Sequence, residues 1–90
     1  MSYFTYLLIT KKNEKYISYV GYTKNIKKRL ELHNLGKGAK FTKGRDWKLI
    51  YLKKYSSKVI AMKEEYKLKR NYLKRKLIKD KYLKQTKNKI

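Results

Sequence analysis

The pattern of apolar and polar positions divides the chain into six elements. Tyr3 to Thr10 is a nearly continuous apolar and aromatic run, short enough for a buried strand. Lys11 to Lys15 is polar and contains Asn13, a turn signal. Tyr16 to Tyr22 is β-branched and aromatic and predicts a second strand, paired with the first in an antiparallel hairpin. Asn25 is placed to cap a helix running from Ile26 to about Leu35, which Gly36 ends. Trp47 to Tyr55 predicts a third strand. Ser56 and Ser57 precede a helix from Lys58 to about Arg70, and a more basic helix covers roughly Tyr72 to Leu83. The tail QTKNKI is expected to fray. The predicted architecture is α/β (α+β) in β-β-α-β-α-α order: a small three-stranded antiparallel sheet flanked by helices, within a single domain over 1–90. The domain core is expected over about 3–70, with a basic C-terminal helix at about 72–84.

Charge changes the picture of what this unit contacts. The 90 residues hold 27 Lys+Arg against 6 Asp+Glu, a net charge of +21. Such self-repulsion calls for an anionic partner. Nucleic acid is the first candidate, because lysines that neutralise phosphates release counterions, and an anionic membrane surface is the second. No run of about 18 apolar residues is present to span a bilayer. The segment MSYFTYLLIT lacks the basic start and small-residue cleavage site of a signal peptide. The absence of cysteine excludes disulfides, thiolate zinc sites and cysteine nucleophiles, and fits an intracellular protein of the cytoplasm or nucleoid.

Four groups of residues could carry chemistry. Tyr6 shares a strand face with Phe4 and Leu8, and Tyr19 shares one with Ile17 and Gly21. An even-numbered turn such as Lys12-Asn13 would set Tyr6 directly opposite Tyr19; equally, strands simply favour tyrosine. Arg29 and His33 stand at i, i+4 on the side of the helix that carries Ile26 and Leu30, which would hold them at the sheet edge. Arginine there suits a phosphate and histidine suits proton transfer, although an exposed basic face with a capping histidine has the same spacing. Glu65 falls on the apolar line Ala61, Leu68 and Tyr72, whereas Glu64 points to the side. A carboxylate on such a line is costly unless it meets a cation, either Mg²⁺ or one of the many lysines. In the glycine-rich loop Gly36–Asp46, the residues Lys37, Lys40, Lys43 and Arg45 could hold a nucleic-acid backbone, or the loop could be flexible and solvated. The Walker A spacing is absent.

The order of these pieces is more specific than any one of them. Phe4-Thr5-Tyr6, then Tyr19-Val20-Gly21, then R-L-x-x-H-N from Arg29, then GKGAKFTKGR, then AMKEEY resembles the GIY-YIG nuclease family over Tyr3 to Lys69. The likeness is greatest to its small single-domain branch and extends to the catalytic domains of structure-specific endonucleases that cut branched DNA. Tyr19-Val20-Gly21 matches the second half of the family name with one conservative change; Phe4-Thr5-Tyr6 matches the first half only at its tyrosine. Tyr22 stands where the excision-repair incision subunit commonly has lysine, which separates this chain from that subunit.

The resemblance implies a phosphodiesterase that hydrolyses DNA with one Mg²⁺ or Mn²⁺ held by Glu65. It implies transition-state stabilisation by Arg29, a proton taken from water by Tyr19 or His33, and orientation of that water or the phosphate by Tyr6. The two strand tyrosines, the helix arginine and the distant glutamate would then converge on one side of the sheet, with the basic loop and the C-terminal helix holding the DNA backbone. DNA repair or recombination is the implied setting, with a structural or weak sequence preference or a targeting protein partner. A non-catalytic, basic nucleic-acid-binding module on the same fold is the alternative.

Overall fold

The computed structural model describes residues 2–87. Strands β1 (Tyr3–Lys12) and β2 (Lys15–Thr23) precede helix α1 (Ile26–Asn34) and a 3₁₀ turn at Lys40–Thr42. Strand β3 (Lys48–Tyr55) and helices α2 (Lys58–Arg70) and α3 (Tyr72–Lys87) follow. The sheet is antiparallel with order β2-β1-β3, so the apolar run of β1 is its centre. Tyr6, Leu7 and Leu8 are fully buried there. Alternation sends their side chains to two cores. Tyr6 and Leu8 join Trp47, with Ile26 and Leu30 of α1 against them. Leu7 joins Val20 and Leu68 of α2, with Ile78 of α3 against them. Helix α1 therefore covers one face of the sheet, and α2 and α3 cover the other.

The hairpin turn is Asn13-Glu14, with φ of 47° and 71°. Positive φ at both central residues is what a two-residue turn requires to match strand twist, and asparagine tolerates it. This placement corrects the expected register by two residues. Tyr6 lies opposite Gly21, and Leu8 lies opposite Tyr19. The two phenols still share a face, as diagonal neighbours with ring centroids 6.5 Å apart. On the other side of β1, a bulge between Leu7 and Leu8 sets them opposite Tyr51 and Leu49. The extra residue lets Ile50 and Tyr51 both reach the α2 side, which plain alternation forbids.

Helix ends follow the side chains that cap them. Asn25 accepts from the Lys28 N–H at 3.1 Å, and Ser57 accepts from Ile60 at 3.4 Å. Gly36 at φ +76° turns the chain out of α1, while Lys37 N–H bonds the Leu32 carbonyl at 2.8 Å. Asn71 interrupts the second helical stretch with ψ 81°, and its side chain caps α3 at Lys74. Tyr72 therefore starts a new helix and is exposed, so the apolar line expected through Glu65 ends at Leu68. The third helix runs past Leu83 through Gln85, Thr86 and Lys87, where fraying was expected, because no glycine or proline stops it. The last three residues of that tail, 88–90, lie outside the described residues. Among the described residues no helix is long and apolar enough to cross a membrane.

The loop after α1 is ordered. Asn34 accepts from the Trp47 N–H at 2.7 Å and donates to its carbonyl at 3.3 Å, which ties the end of α1 to the start of β3. The Trp47 indole N–H donates to the Thr42 carbonyl at 2.9 Å. Asn34→Ala would leave the Trp47 N–H without its partner and should cost about 1–3 kcal/mol. Urea denaturation followed by the emission of Trp47, the single tryptophan, measures this.

Candidate active site

Tyr6, Tyr19, Arg29 and Glu65 line one cavity of about 250 Å³ beside the edge strand, with Gly21, Tyr22 and Thr23 completing its wall. Two of these side chains come from the sheet, one from α1 and one from α2. The helices lie on opposite faces, so the convergence is at the strand edge and not on one side of the sheet as expected. Glu65 has 17% of its side-chain surface exposed and pairs with Lys69 at 3.4 Å. Glu64 is a separate, more exposed carboxylate beside Lys67.

Behind this cavity a chain of hydrogen bonds fixes Tyr6. Its hydroxyl lies 2.8 Å from His33 Nε2, and His33 Nδ1 lies 2.8 Å from Thr42 Oγ1. The Thr42 hydroxyl donates to the Ala39 carbonyl at 2.9 Å and accepts from the Ala39 N–H at 3.2 Å. With the threonine proton used in this way, Nδ1–H donates to Thr42 and Nε2 accepts the Tyr6 O–H. His33 is fully buried with both ring nitrogens engaged, and it is not among the residues lining the cavity. Burial pushes His33 below its ordinary value, and the nearby Arg29 charge pushes the same way. The imidazole is thereby kept neutral. Burial raises the Tyr6 phenol, with the adjacent Arg29 guanidinium pulling it back. Tyr6 in turn is the main influence holding Arg29 charged. Arg29 Nε is buried without a hydrogen-bond partner among the described residues, a donor with no acceptor supplied by the fold.

Two glycines make this arrangement possible. A Cβ on Gly21 would lie 2.3 Å from the Tyr6 hydroxyl oxygen and 2.5 Å from Cζ. A Cβ on Gly38 would lie 2.4 Å from His33 Nδ1. The glycine-rich loop is thus packed onto the histidine, and its buried threonine completes the hydrogen-bond chain. Gly38, Thr42 and Asn34 were not singled out for this work by sequence reasoning. The available signal was a lone threonine among the lysines and glycines of a loop that follows the only histidine. The other loop residues expected to touch nucleic acid, Lys37, Lys40, Lys43 and Arg45, stand outside the cavity wall. The three lysines are exposed and Arg45 is half-buried.

Two outcomes follow from these contacts. Gly21→Ala should destabilise the fold by about 1–3 kcal/mol through overpacking on Tyr6, read as a lower urea midpoint. Because His33 binds a proton less readily folded than unfolded, the unfolded chain takes up more protons as pH falls below about 6.5. Stability should therefore decline through that range towards the folded-state value. Thermal melts of His33→Gln should show a shallower decline.

A family model described as the GIY-YIG catalytic domain matches residues 2–89. A UPF0213 protein of Oceanobacillus iheyensis is 50% identical over 52 residues, covering 57% of this chain and 60% of that relative. One from Staphylococcus haemolyticus is 43% identical over 68 residues, covering 74% of this chain and 79% of that one. The solution NMR structure of a UPF0213 protein from Bacillus halodurans is 33% identical, covers 88% of this chain and 84% of that chain, and has a TM-score of 0.46. With its tyrosine–glycine strand motif built around one cleft, the chain belongs to the GIY-YIG family, a nuclease superfamily.

Proposed function

We propose that this protein is a divalent-metal-dependent DNA endonuclease, structure-selective or weakly sequence-specific, acting in DNA repair or recombination. The observation that carries the reading is the meeting of Tyr6, Tyr19, Arg29 and Glu65 around one cavity. Phenols, a guanidinium and a carboxylate together suit phosphodiester hydrolysis. The basic surface supplies backbone attraction for DNA, and targeting rests either on that structural or weak preference or on a partner protein.

The donor set fits a hard cation. Among the described residues no group of three His, Cys, Asp or Glu could hold a metal, so a zinc cage is not built here. Glu65 as sole protein ligand, with water and phosphate oxygens filling the other positions, suits Mg²⁺ or Mn²⁺. Such an ion, when bound, supplies charge neutralisation at the phosphate and the leaving oxygen.

The remaining chemistry belongs to the protein. Arg29 offers its unpartnered Nε and its fixed charge to the phosphate oxygens as negative charge builds up. Tyr19 lines the cavity and orients the phosphate or the attacking water. Tyr6 starts protonated, since burial outweighs Arg29. It serves as base by passing its proton to His33 Nε2 while taking one from the attacking water. The water oxygen bonds phosphorus, the bond to the leaving oxygen breaks, that oxygen takes a proton from solvent water, and His33 returns its proton through Tyr6 to solvent. His33 is thus a proton store behind Tyr6, not a base in contact with water.

Cleavage of branched and linear DNA with Mg²⁺ or Mn²⁺ tests the reading. Glu65→Gln and Arg29→Ala should each lower the rate by about 10²–10³ or more. Absence of any cut product, or activity that survives both changes, defeats it. The Glu65–Lys69 pair favours a second reading, a basic nucleic-acid-binding module in which this carboxylate is structural. That reading requires salt-sensitive binding, unchanged in Glu65→Gln, with no cleavage.

A further inference from the structure

Phe41 is half exposed on a loop whose neighbouring side chains, Lys40 and Lys43, are also exposed. The ring meets the buried Trp47 at 6.0 Å between centroids on its inner side, and its other half stays in water on the basic loop beside the cleft. Its position is nevertheless fixed. The 3₁₀ turn that carries it is held by Thr42 on His33 and by the Trp47 indole on the Thr42 carbonyl. The Phe41 ring stacks on Tyr19 at 6.2 Å between centroids and 21° between planes. Tyr19 itself lines the cavity, so the two rings form a step leading out of it.

A guanidinium stands at each end of that step. Arg29 is at the cavity end, and Arg45 lies over the Phe41 ring at 5.7 Å. The Nε atoms of these two arginines are the buried side-chain nitrogens that have no hydrogen-bond partner among the described residues. A donor buried without an acceptor is costly, and a phosphate oxygen would satisfy it. Aromatic rings interleaved with cationic groups are the chemistry that holds single-stranded nucleic acid, because every base has a π-face. A base paired and stacked inside a continuous duplex has no free face to offer.

Building on the nuclease reading, we infer that Phe41, with Tyr19 and Arg45, is a stacking platform for an unpaired base flanking the scissile phosphate. The substrate class is accordingly DNA that is single-stranded or splayed at the cut, with Arg45 taking a neighbouring phosphate. Phe41 is a specificity-determining residue, not part of the proton transfer.

Binding in a metal chelator isolates this from catalysis. Fluorescence anisotropy would compare a single-stranded oligodeoxynucleotide with a blunt duplex of equal length. Phe41→Ala and Phe41→Leu should weaken single-strand binding about tenfold, as loss of one base–aromatic stack predicts, and change duplex binding less than about twofold. Phe41→Tyr should restore it. A 2-aminopurine base in the single strand should be quenched by the wild type and by Phe41→Tyr but not by Phe41→Leu. Leucine keeps the apolar bulk, so the comparison stands even if the alanine variant unfolds. Equal losses on both DNAs, no loss, or full binding by Phe41→Leu would overturn the platform. DNA held by the platform but never cut would overturn the nuclease reading alone. Cleavage with no single-strand defect in the Phe41 variants would overturn the platform alone.

Discussion

The hydrogen bond between the Tyr6 hydroxyl and His33 Nε2 organises this small protein. Tyr6 is a fully buried phenol on the central strand, and a buried hydroxyl must find a partner. His33 provides it from the last turn of α1, and its own second nitrogen needs an acceptor in turn. Thr42 supplies that from the loop, which is why a lysine- and glycine-rich segment is held down against the sheet. One satisfied chain of groups therefore joins strand, helix and loop. It also fixes the protonation pattern: a neutral imidazole behind a protonated phenol, beside an arginine held charged.

Charge is the second constraint. With a net charge of +21, lysines lie over most of the exterior and give the surface little contrast. Discrimination is left to the arginines and to burial. Arg29 and Arg45 combine a planar, permanently charged group with a buried Nε that has no partner among the described residues, a demand that exposed lysines do not make. Lys69 plays a different part. It lies against Glu65 and supplies a cation to that half-buried carboxylate.

The site lies where the two helical layers meet the edge of the sheet. A strand edge with a glycine in it is open, since Gly21 leaves the room that the Tyr6 ring takes. Helices on opposite faces can then both contribute side chains to one cavity. A cleft is thereby assembled from segments far apart in the chain.

Much of this was legible in the chain itself. Apolar periodicity and capping residues marked three strands and three helices close to their observed limits, because those signals are local. The Tyr6, Tyr19, Arg29 and Glu65 set was legible through its order along the sequence. The hairpin register was not. The expected Lys12-Asn13 turn and the observed Asn13-Glu14 turn keep the same faces, and only the backbone conformation at Asn13 and Glu14 selects the one that brings Gly21 under Tyr6. The line through Glu65 was drawn too far, because the break at Asn71 depends on a cap to the following helix. Pattern by itself determined which faces would be buried, while the candidate chemical set came from the order of motifs that resembles the GIY-YIG family. The tertiary structure decided that His33 sits behind the cleft and not in it, and that the loop is packed down on His33 and not a flexible arm. Those outcomes rest on hydrogen bonds and close contacts between residues far apart in the chain, which no local pattern encodes.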